Sequence, residues 1–247
     1  SKTITASSTD GTLTMSNTRG STCNGTLTFI SYSSQTFLLE SDNGTRVCYK
    51  AVDTATNTTY SLSNTISGID KTSPMITITE PDASPALNKT ISASPSEGTL
   101  TMSNTNGSTC NGTLPFIAYF NQTFSAESDN GTRVCYKAID TATNTTYSIS
   151  NAVTGIDTTA PTISITEPDA SPALNKIISA SPSEGTLTMS NTSSFTCDGT
   201  LTFVDYSSQT FSAESDNNTR VCYKAVDTAT NTTYSMSNAI AGIDTTA

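Results

Sequence analysis

The sequence repeats itself, and one hairpin-like stretch shows this most plainly. Thr45–Ser61 returns with few changes as Thr132–Ser148 and Thr219–Ser235, at an offset of 87 residues each time. Its first half alternates with the two-residue period of a half-buried strand. Asp53 and Asn57 then supply turn chemistry, and a Thr/Tyr-rich strand follows. A unit of this length is too long for a solenoid repeat and fits a small β-sandwich.

The second copy contains the full set of predicted strands, and no stretch has helical apolar spacing. Strand A is predicted at 74–80, B at 89–94, C at 99–105 and E at 123–127, with an aromatic segment at 116–119 and strands F and G around Cys135 and Tyr147. The sequence therefore predicts an all-β chain of three tandem immunoglobulin-like β-sandwich domains, at residues 1–73, 74–160 and 161–247.

The ends of the sequence are out of phase with the unit. Ser1 is equivalent to Asn88, so the first domain starts at strand B and lacks a strand A, and Ala247 is equivalent to Ala160. An open sheet edge can pair with another strand. Two interpretations follow: a segment of a longer head-to-tail array, or a first domain completed by a neighbour's strand. Because the C-terminal end carries no spare strand A, we favour the array, whose partners are further repeats of the same chain.

The cysteines predict one covalent crosslink in each domain. Only 34% of the residues are apolar and there is no Trp, so each core is thin and small domains of this kind usually need a crosslink. The six cysteines fall into one pair per repeat: Cys23 with Cys48, Cys110 with Cys135, and Cys197 with Cys222. A metal site is a poor alternative, since there is no His and no CxxC. A disulfide closing such a loop contributes about 3 kcal/mol and implies an oxidising compartment.

Two short motifs resemble a known family. Ala160–Thr166 (APTISIT) and the pattern Ala-x-Asp-x-Ala-x-Asn at Ala51–Asn57 are similar to the bacterial immunoglobulin-like (Big-type) repeat domains, which occur in tandem in surface adhesins, stalks and fibres. The family commonly has Ala-Gly-Asn where this chain has Ala-Thr-Asn. With Tyr49 and Ala51 facing the core, Cys48 faces outward. The disulfide is therefore expected to link strands C and F at one end of the sheet.

Charge and hydropathy exclude several partners. The chain has 11 Lys and Arg against 21 Asp and Glu, a net charge of −10. Without a basic patch, nucleic acid is not an expected partner. No apolar run has the length of a membrane span, and no signal peptide is seen, so we expect a mature or excised segment located outside the cell or on its surface.

Catalysis has little support in the sequence. There is no His, no Gly-x-Ser-x-Gly motif and no cysteine left over as a nucleophile. The acid pairs Glu40/Asp42 and Glu80/Asp82 could in principle serve a glycosidase. The alternative is that they flank turns and keep the surface solvated. We expect no enzyme.

N-glycosylation is the best-supported covalent chemistry. The acceptor sequence Asn-x-Ser/Thr, here called a sequon, needs an exposed loop amide. It begins at Asn24, Asn43, Asn57, Asn88, Asn106, Asn111, Asn121, Asn130, Asn144, Asn191, Asn217 and Asn231. The positions equivalent to Asn43 and Asn57 recur in every unit, on predicted turns, and are the favoured sites. A chain rich in Asn and Thr also forms sequons by chance.

Calcium is a further candidate ligand. Asp70 and Asp157 end a domain, and Asp140 and Asp227 lie in the hairpin turn of the next one. If both meet at one junction, their hard oxygen ligands would suit Ca²⁺. The alternative is that these aspartates only cap turns.

The tyrosines Tyr32, Tyr49 and Tyr60 recur in each unit, and two functions could explain them. They could stack on sugars, although their placement in strands favours packing within the domain.

Two functional hypotheses remain. The first is a structural, disulfide-linked and glycosylated extracellular fibre, filament or adhesin stalk. The second is an adhesin module whose end loops bind a carbohydrate or a host partner. A ligand site in one domain should make its loops diverge, yet the hairpin turn is identical in all copies, and the most varied stretch (Arg19-Gly-Ser, Asn106-Gly-Ser, Ser193-Ser-Phe) is short. This favours the structural hypothesis.

Overall fold

The fold is given by a computed structural model that describes residues 1–246. Over those residues the chain consists of short strands, turns and three 3-10 segments, without an α-helix. They form two compact units. The first is Ser1–Thr77 with Pro95–Thr101 and Lys137–Tyr147, and the second is Ile78–Ser94 with Met102–Tyr136 and the chain from Ser148 onward. The boundaries predicted after residues 73 and 160 stay predictions, and Ala247 lies outside the described residues.

Six small sheets recur with the period of the sequence, two in each repeat. The strands of the first repeat are β1 (Lys2–Ile4), β2 (Thr12–Thr18), β3 (Ile30–Ser31), β4 (Gln35–Phe37), β5 (Arg46–Val52) and β6 (Thr58–Leu62). Those of the second are β7 (Ile76–Thr79), β8 (Lys89–Pro95), β9 (Thr99–Thr105), β10 (Ile117–Ala118), β11 (Gln122–Phe124), β12 (Arg133–Ile139) and β13 (Thr145–Ile149). Those of the third are β14 (Ile163–Thr166), β15 (Lys176–Pro182), β16 (Thr186–Thr192), β17 (Val204–Asp205), β18 (Gln209–Phe211), β19 (Arg220–Val226) and β20 (Thr232–Met236).

The third repeat shows the sandwich topology. One sheet has the order β14–β15–β18 and the other β17–β16–β19–β20, and the pairs are antiparallel. Ile178 from the first sheet and Met189 and Tyr223 from the second belong to one buried cluster, so the core lies between the two sheets. The second repeat has the same two strand orders, and the first has a two-stranded β1–β4 sheet in place of the three-stranded one. The predicted fold class is confirmed.

The segment after the last strand of each repeat is part of the sandwich. After β13 of the second repeat, Val153 and Ile156 are buried. Ile156 also forms a parallel bridge with Ala86. The apolar residues of this segment do not alternate as in a strand, so the sequence pattern did not predict that they belong to the sandwich. The true linkers are therefore short, about residues 70–74 and 157–161.

The three predicted cysteine pairs are disulfides, and no described cysteine is free. Their placement differs from the expectation. Cys23 lies in the loop after β2 and not in a strand, and its sulfur is 3.3 Å from the carbonyl oxygen of Ser61 in β6. Cys48 does face away from the core cluster, yet it is fully buried because this loop covers it. The disulfide thus anchors a loop across the outer face of the larger sheet.

Candidate functional site: linkers, hairpins and surface loops

The first linker is hydrogen-bonded on both sides. On the preceding side, the Glu40 carboxylate accepts hydrogen bonds from the backbone N–H of Lys71 and, at 2.8 Å, from the hydroxyl of Thr72. These bonds hold the pKa of Glu40 below its usual range, the Lys71 N–H being the main cause. On the following side, Asn144 donates from Nδ2 to the Thr72 carbonyl at 3.3 Å. All these residues belong to the first compact unit.

The residues that follow in the chain dock on the next repeat. Pro74 is fully buried. Met75 exchanges two hydrogen bonds with Ser96, from its N–H to the hydroxyl at 2.9 Å and from the Ser96 N–H to its carbonyl at 2.8 Å. The contacts at residues 71–72 and those at residues 74–75 therefore leave no extended unbonded stretch in the linker.

The second linker repeats this arrangement within the second compact unit. Glu127 accepts from the Thr158 N–H at 2.8 Å and from the Thr159 hydroxyl at 2.6 Å, which lowers its pKa, with the Thr159 hydroxyl as the main cause. Asn231 donates from Nδ2 to the Asp157 carbonyl at 3.1 Å. The same chemistry thus fixes both linkers.

The F–G hairpin that supplies Asn144 is built by its own turn. Asp140 accepts the Asn144 backbone N–H on one carboxylate oxygen and the Asn144 side-chain amide on the other, both at 2.8 Å. Thr143 sits at φ 72°, the left-handed region that disfavours a β-branched residue. A threonine at this position therefore carries a conformational cost that glycine would not. Thr56 and Thr230 adopt the same conformation.

The acidic residues considered for catalysis make local structural contacts. Asp42 accepts the N–H groups of Leu38 and Leu39, and Glu80 accepts that of Asn151. Asp82 pairs with Lys89. These three carboxylates, which the sequence offered as possible catalytic groups, are thus engaged in contacts that stabilise loops.

The four aspartates considered for calcium are also engaged in local bonds. Asp70 and Asp157 each accept a backbone N–H two residues ahead, while Asp140 and Asp227 are buried and bonded to their own hairpins. Among residues 1–246, no group of three or more His, Cys, Asp or Glu residues is arranged to hold a metal ion. A calcium site there stays a prediction.

The favoured glycosylation turns do not present the free amide that was expected. Asn43 is half-buried, donating from Nδ2 to the Ile69 carbonyl at 2.8 Å and accepting the Ile69 N–H at 3.1 Å. Asn57 donates from Nδ2 to Asp53 at 2.8 Å. Their equivalents in the other repeats, Asn130, Asn217, Asn144 and Asn231, are bonded in the same way. Whether any of the twelve sequons carries sugar stays a prediction.

The aromatic residues pack inside each repeat. The Tyr32 ring lies 6.1 Å from that of Tyr49 in the core, and its hydroxyl accepts the Ala6 N–H. Tyr60 packs against Phe29 under the disulfide loop. The most exposed of these rings is Phe195 in the varied loop of the third repeat, which is 84% exposed with the Arg220 guanidinium 4.5 Å from its centroid, against 49% for Phe120. This one feature favours the carbohydrate- or host-binding alternative.

Sequence reasoning missed the residues that fix the linkers and loops. Glu40 and Asn43 belong to a Glu-Ser-Asp-Asn tetrapeptide that recurs in every copy, which was the available signal. Lys89 was treated only as the start of a strand. Its ammonium group is buried and bonded to the Asp82 carboxylate at 2.9 Å and to the carbonyls of Asp82 and Ser84.

Comparison with known proteins adds no family. No protein-family model matches the chain, and no curated protein matches it. Over the described residues, none of the helical segments has the length and apolar character to cross a membrane.

Proposed function

We propose that this chain is a structural segment of an extracellular fibre, filament or adhesin stalk of the bacterial immunoglobulin-like type. Its repeats set length, its linkers resist bending, and it performs no catalysis. The observation that carries the proposal is that both linkers are bound by the repeat before and the repeat after them. Relative motion of the domains in one chain is the default, so hydrogen bonds on both sides of a linker are the contacts here that oppose it.

The within-repeat disulfides support the extracellular setting. Disulfides persist where the environment is oxidising, and they suit small domains with thin cores. A surface rich in Ser, Thr and sequons suits a glycan coat that protects such a fibre. Immunolabelling of intact, unpermeabilised producing cells tests this part. Labelling only after permeabilisation contradicts it.

Linker stiffness is tested with Asn144→Ala combined with Asn231→Ala. Each substitution removes one hydrogen bond between hairpin and linker, a loss of about 1 kcal/mol per junction. We expect small-angle X-ray scattering of the full chain to show a broader distribution of interatomic distances, with repeat folding unchanged by circular dichroism.

Asn57→Ala is the matched control. Asn57 makes the same bonds to its own hairpin, but among the described residues its Nδ2 donates only to Asp53. This variant should scatter like the wild type. If the double variant also scatters like the wild type, these contacts do not stiffen the linkers and the structural proposal loses its support.

A further inference from the structure

The twelve sequons differ in solvent exposure and in the hydrogen bonds of their asparagine side chains. Two of them, at Asn24 and Asn111, lie in the loop that the disulfide anchors on the outer face of the larger sheet, each directly after a half-cystine. Asn24, Gly25 and Thr26 are all exposed, and so are residues 111–113. A transferase must enclose the acceptor sequence, so exposure of all three residues is the first requirement.

The local geometry at these two sequons is that of an Asx turn. The Asn24 carbonyl oxygen Oδ1 accepts the Thr26 N–H at 3.0 Å and the Thr26 hydroxyl at 2.6 Å. Asn111 and Thr113 make the same two bonds at the same distances. These bonds orient the side-chain amide and occupy only its oxygen. Among the described residues Nδ2 of Asn24 and Asn111 has no acceptor, so the nucleophilic atom is available.

Every other sequon lacks one of these features. The recurring turn asparagines and Asn191 use Nδ2 in hydrogen bonds, as in Asn191 to Gln209. Oδ1 of Asn106 accepts a hydrogen bond from Thr132, and Oδ1 of Asn121 accepts one from Tyr119. Neither oxygen therefore pairs with the Ser or Thr of its own sequon. Asn88 is followed by the buried Lys89 at the start of β8.

We propose that Asn24 and Asn111 are the N-glycan acceptor sites of the folded protein, which rests on and sharpens the glycan coat of the proposed function. The donor is an oligosaccharide linked through a diphosphate to a lipid. Nδ2 attacks C1 of the first sugar, the N–C1 bond forms and the C1–O bond to the diphosphate breaks. The diphosphate leaves with the electron pair, and the Nδ2 proton passes to a base of the transferase.

The third repeat contains a natural control for this geometry. Asp198 occupies the position of Asn24 and Asn111, and it accepts the Thr200 N–H at 2.9 Å and the Thr200 hydroxyl at 2.6 Å. The turn is therefore retained without the amide, with Gly199 and Thr200 exposed and Asp198 itself half-buried. Asp198→Asn changes one oxygen to NH₂ and should create a third site without altering the loop.

The test uses the folded, disulfide-intact full chain with an oligosaccharyltransferase, its divalent cation and its lipid-linked donor. Peptide mapping by mass spectrometry should find sugar at Asn24 and Asn111, with occupancy at least about tenfold lower at sequons whose amide is hydrogen-bonded. Asp198→Asn should add sugar at position 198, and combining it with Thr200→Ala should remove it again.

Sugar spread evenly over the sequons, preference for Asn43 or Asn57, or an unmodified Asp198→Asn chain would each overturn the assignment. Intact mass with all three disulfides confirms that the Asp198→Asn chain is folded before it is assayed. The scattering test of the linkers does not depend on any of these outcomes. Failure of the glycan sites is therefore distinguishable from failure of the structural function.

Discussion

A buried lysine at the start of strand β8 should fix the loop between β7 and β8, and its removal gives a sharp test of the fold. Lys89 is 4% exposed, and its ammonium group is bonded to the Asp82 carboxylate and to the carbonyls of Asp82 and Ser84. The same loop is tied to the end of the repeat by Ala86, whose N–H donates to the Gly155 carbonyl at 2.9 Å. Lys89→Met keeps the buried stem and removes the charge.

The size of the effect follows from the partners. Asp82 is 77% exposed, so solvent screens its ion pair with Lys89 and the two carbonyl contacts carry most of the effect. Bonds from a charged donor to carbonyls contribute about 1.5–3 kcal/mol each, but water can replace the donor at a surface loop. We therefore expect a loss of about 2–3 kcal/mol in the free energy of local opening. That corresponds to roughly 30- to 150-fold faster hydrogen exchange at the Ala86 and Asp157 amides.

Hydrogen-exchange mass spectrometry or NMR on the full chain measures this without assuming two-state unfolding of three repeats. Lys2 is the matched control: it occupies the equivalent position in the first repeat and is exposed, so Lys2→Met should change exchange little. Lys176, 3% exposed and bonded to Asp169 and Ser171, should behave like Lys89. An exchange rate within about threefold of the wild type in Lys89→Met would refute the reasoning.

Two further predictions concern the turn and the pH response. Thr143→Gly should stabilise the hairpin by about 0.5–1 kcal/mol, because glycine adopts the left-handed conformation without the steric penalty of about 1–2 kcal/mol, while its greater backbone entropy in the unfolded chain costs about 0.5–1 kcal/mol. Slower exchange of the Asp140 amide checks this, and Thr145→Gly in β13 should have the opposite sign. Bonds from Ser84 and then Lys89 lower the pKa of Asp82 from 3.8 to about 2, so its contribution to stability is complete above about pH 4 and is lost as the pH falls through about 2. Asp82→Asn should flatten this part of the acid-unfolding curve, and an unchanged slope between pH 4 and 2 would contradict the assignment.

The regular strands could be predicted because their pattern is local. Strand C was predicted at 99–105, where β9 lies, and the F–G hairpin followed from alternation and turn residues. Strand E was predicted as 123–127 but ends at Phe124. The Asp129 carboxylate accepts the N–H groups of Ser125 and Ala126, which turns the chain into a 3-10 segment. A side-chain bond across four residues leaves no periodic signal.

The disulfide loop and the linkers needed three-dimensional placement. The spacing of Cys23 and Cys48 predicted their pairing, but not that the loop would cover the outer face of the sheet. The loop approaches the sheet closely at Gly25, where a Cβ atom would lie 3.0 Å from the Tyr60 hydroxyl. Similarly, a sequon predicts an acceptor asparagine but not the partner of its amide. Asn43 and Asn24 are alike in sequence and differ only in what surrounds them.

The residues that bind the linkers are identical in every repeat, whereas the surface loops vary. Each repeat carries a glutamate that binds the linker leaving it and, in the second and third repeats, a hairpin asparagine that binds the linker entering it. These two groups come from Glu-Ser-Asp-Asn and Asp-Thr-Ala-Thr-Asn, which are unchanged in all copies. A repeat that carries both the glutamate and the hairpin asparagine can form these contacts with a linker at each of its ends. Because both junctions carry this pair of contacts, the linkers support the proposed structural array.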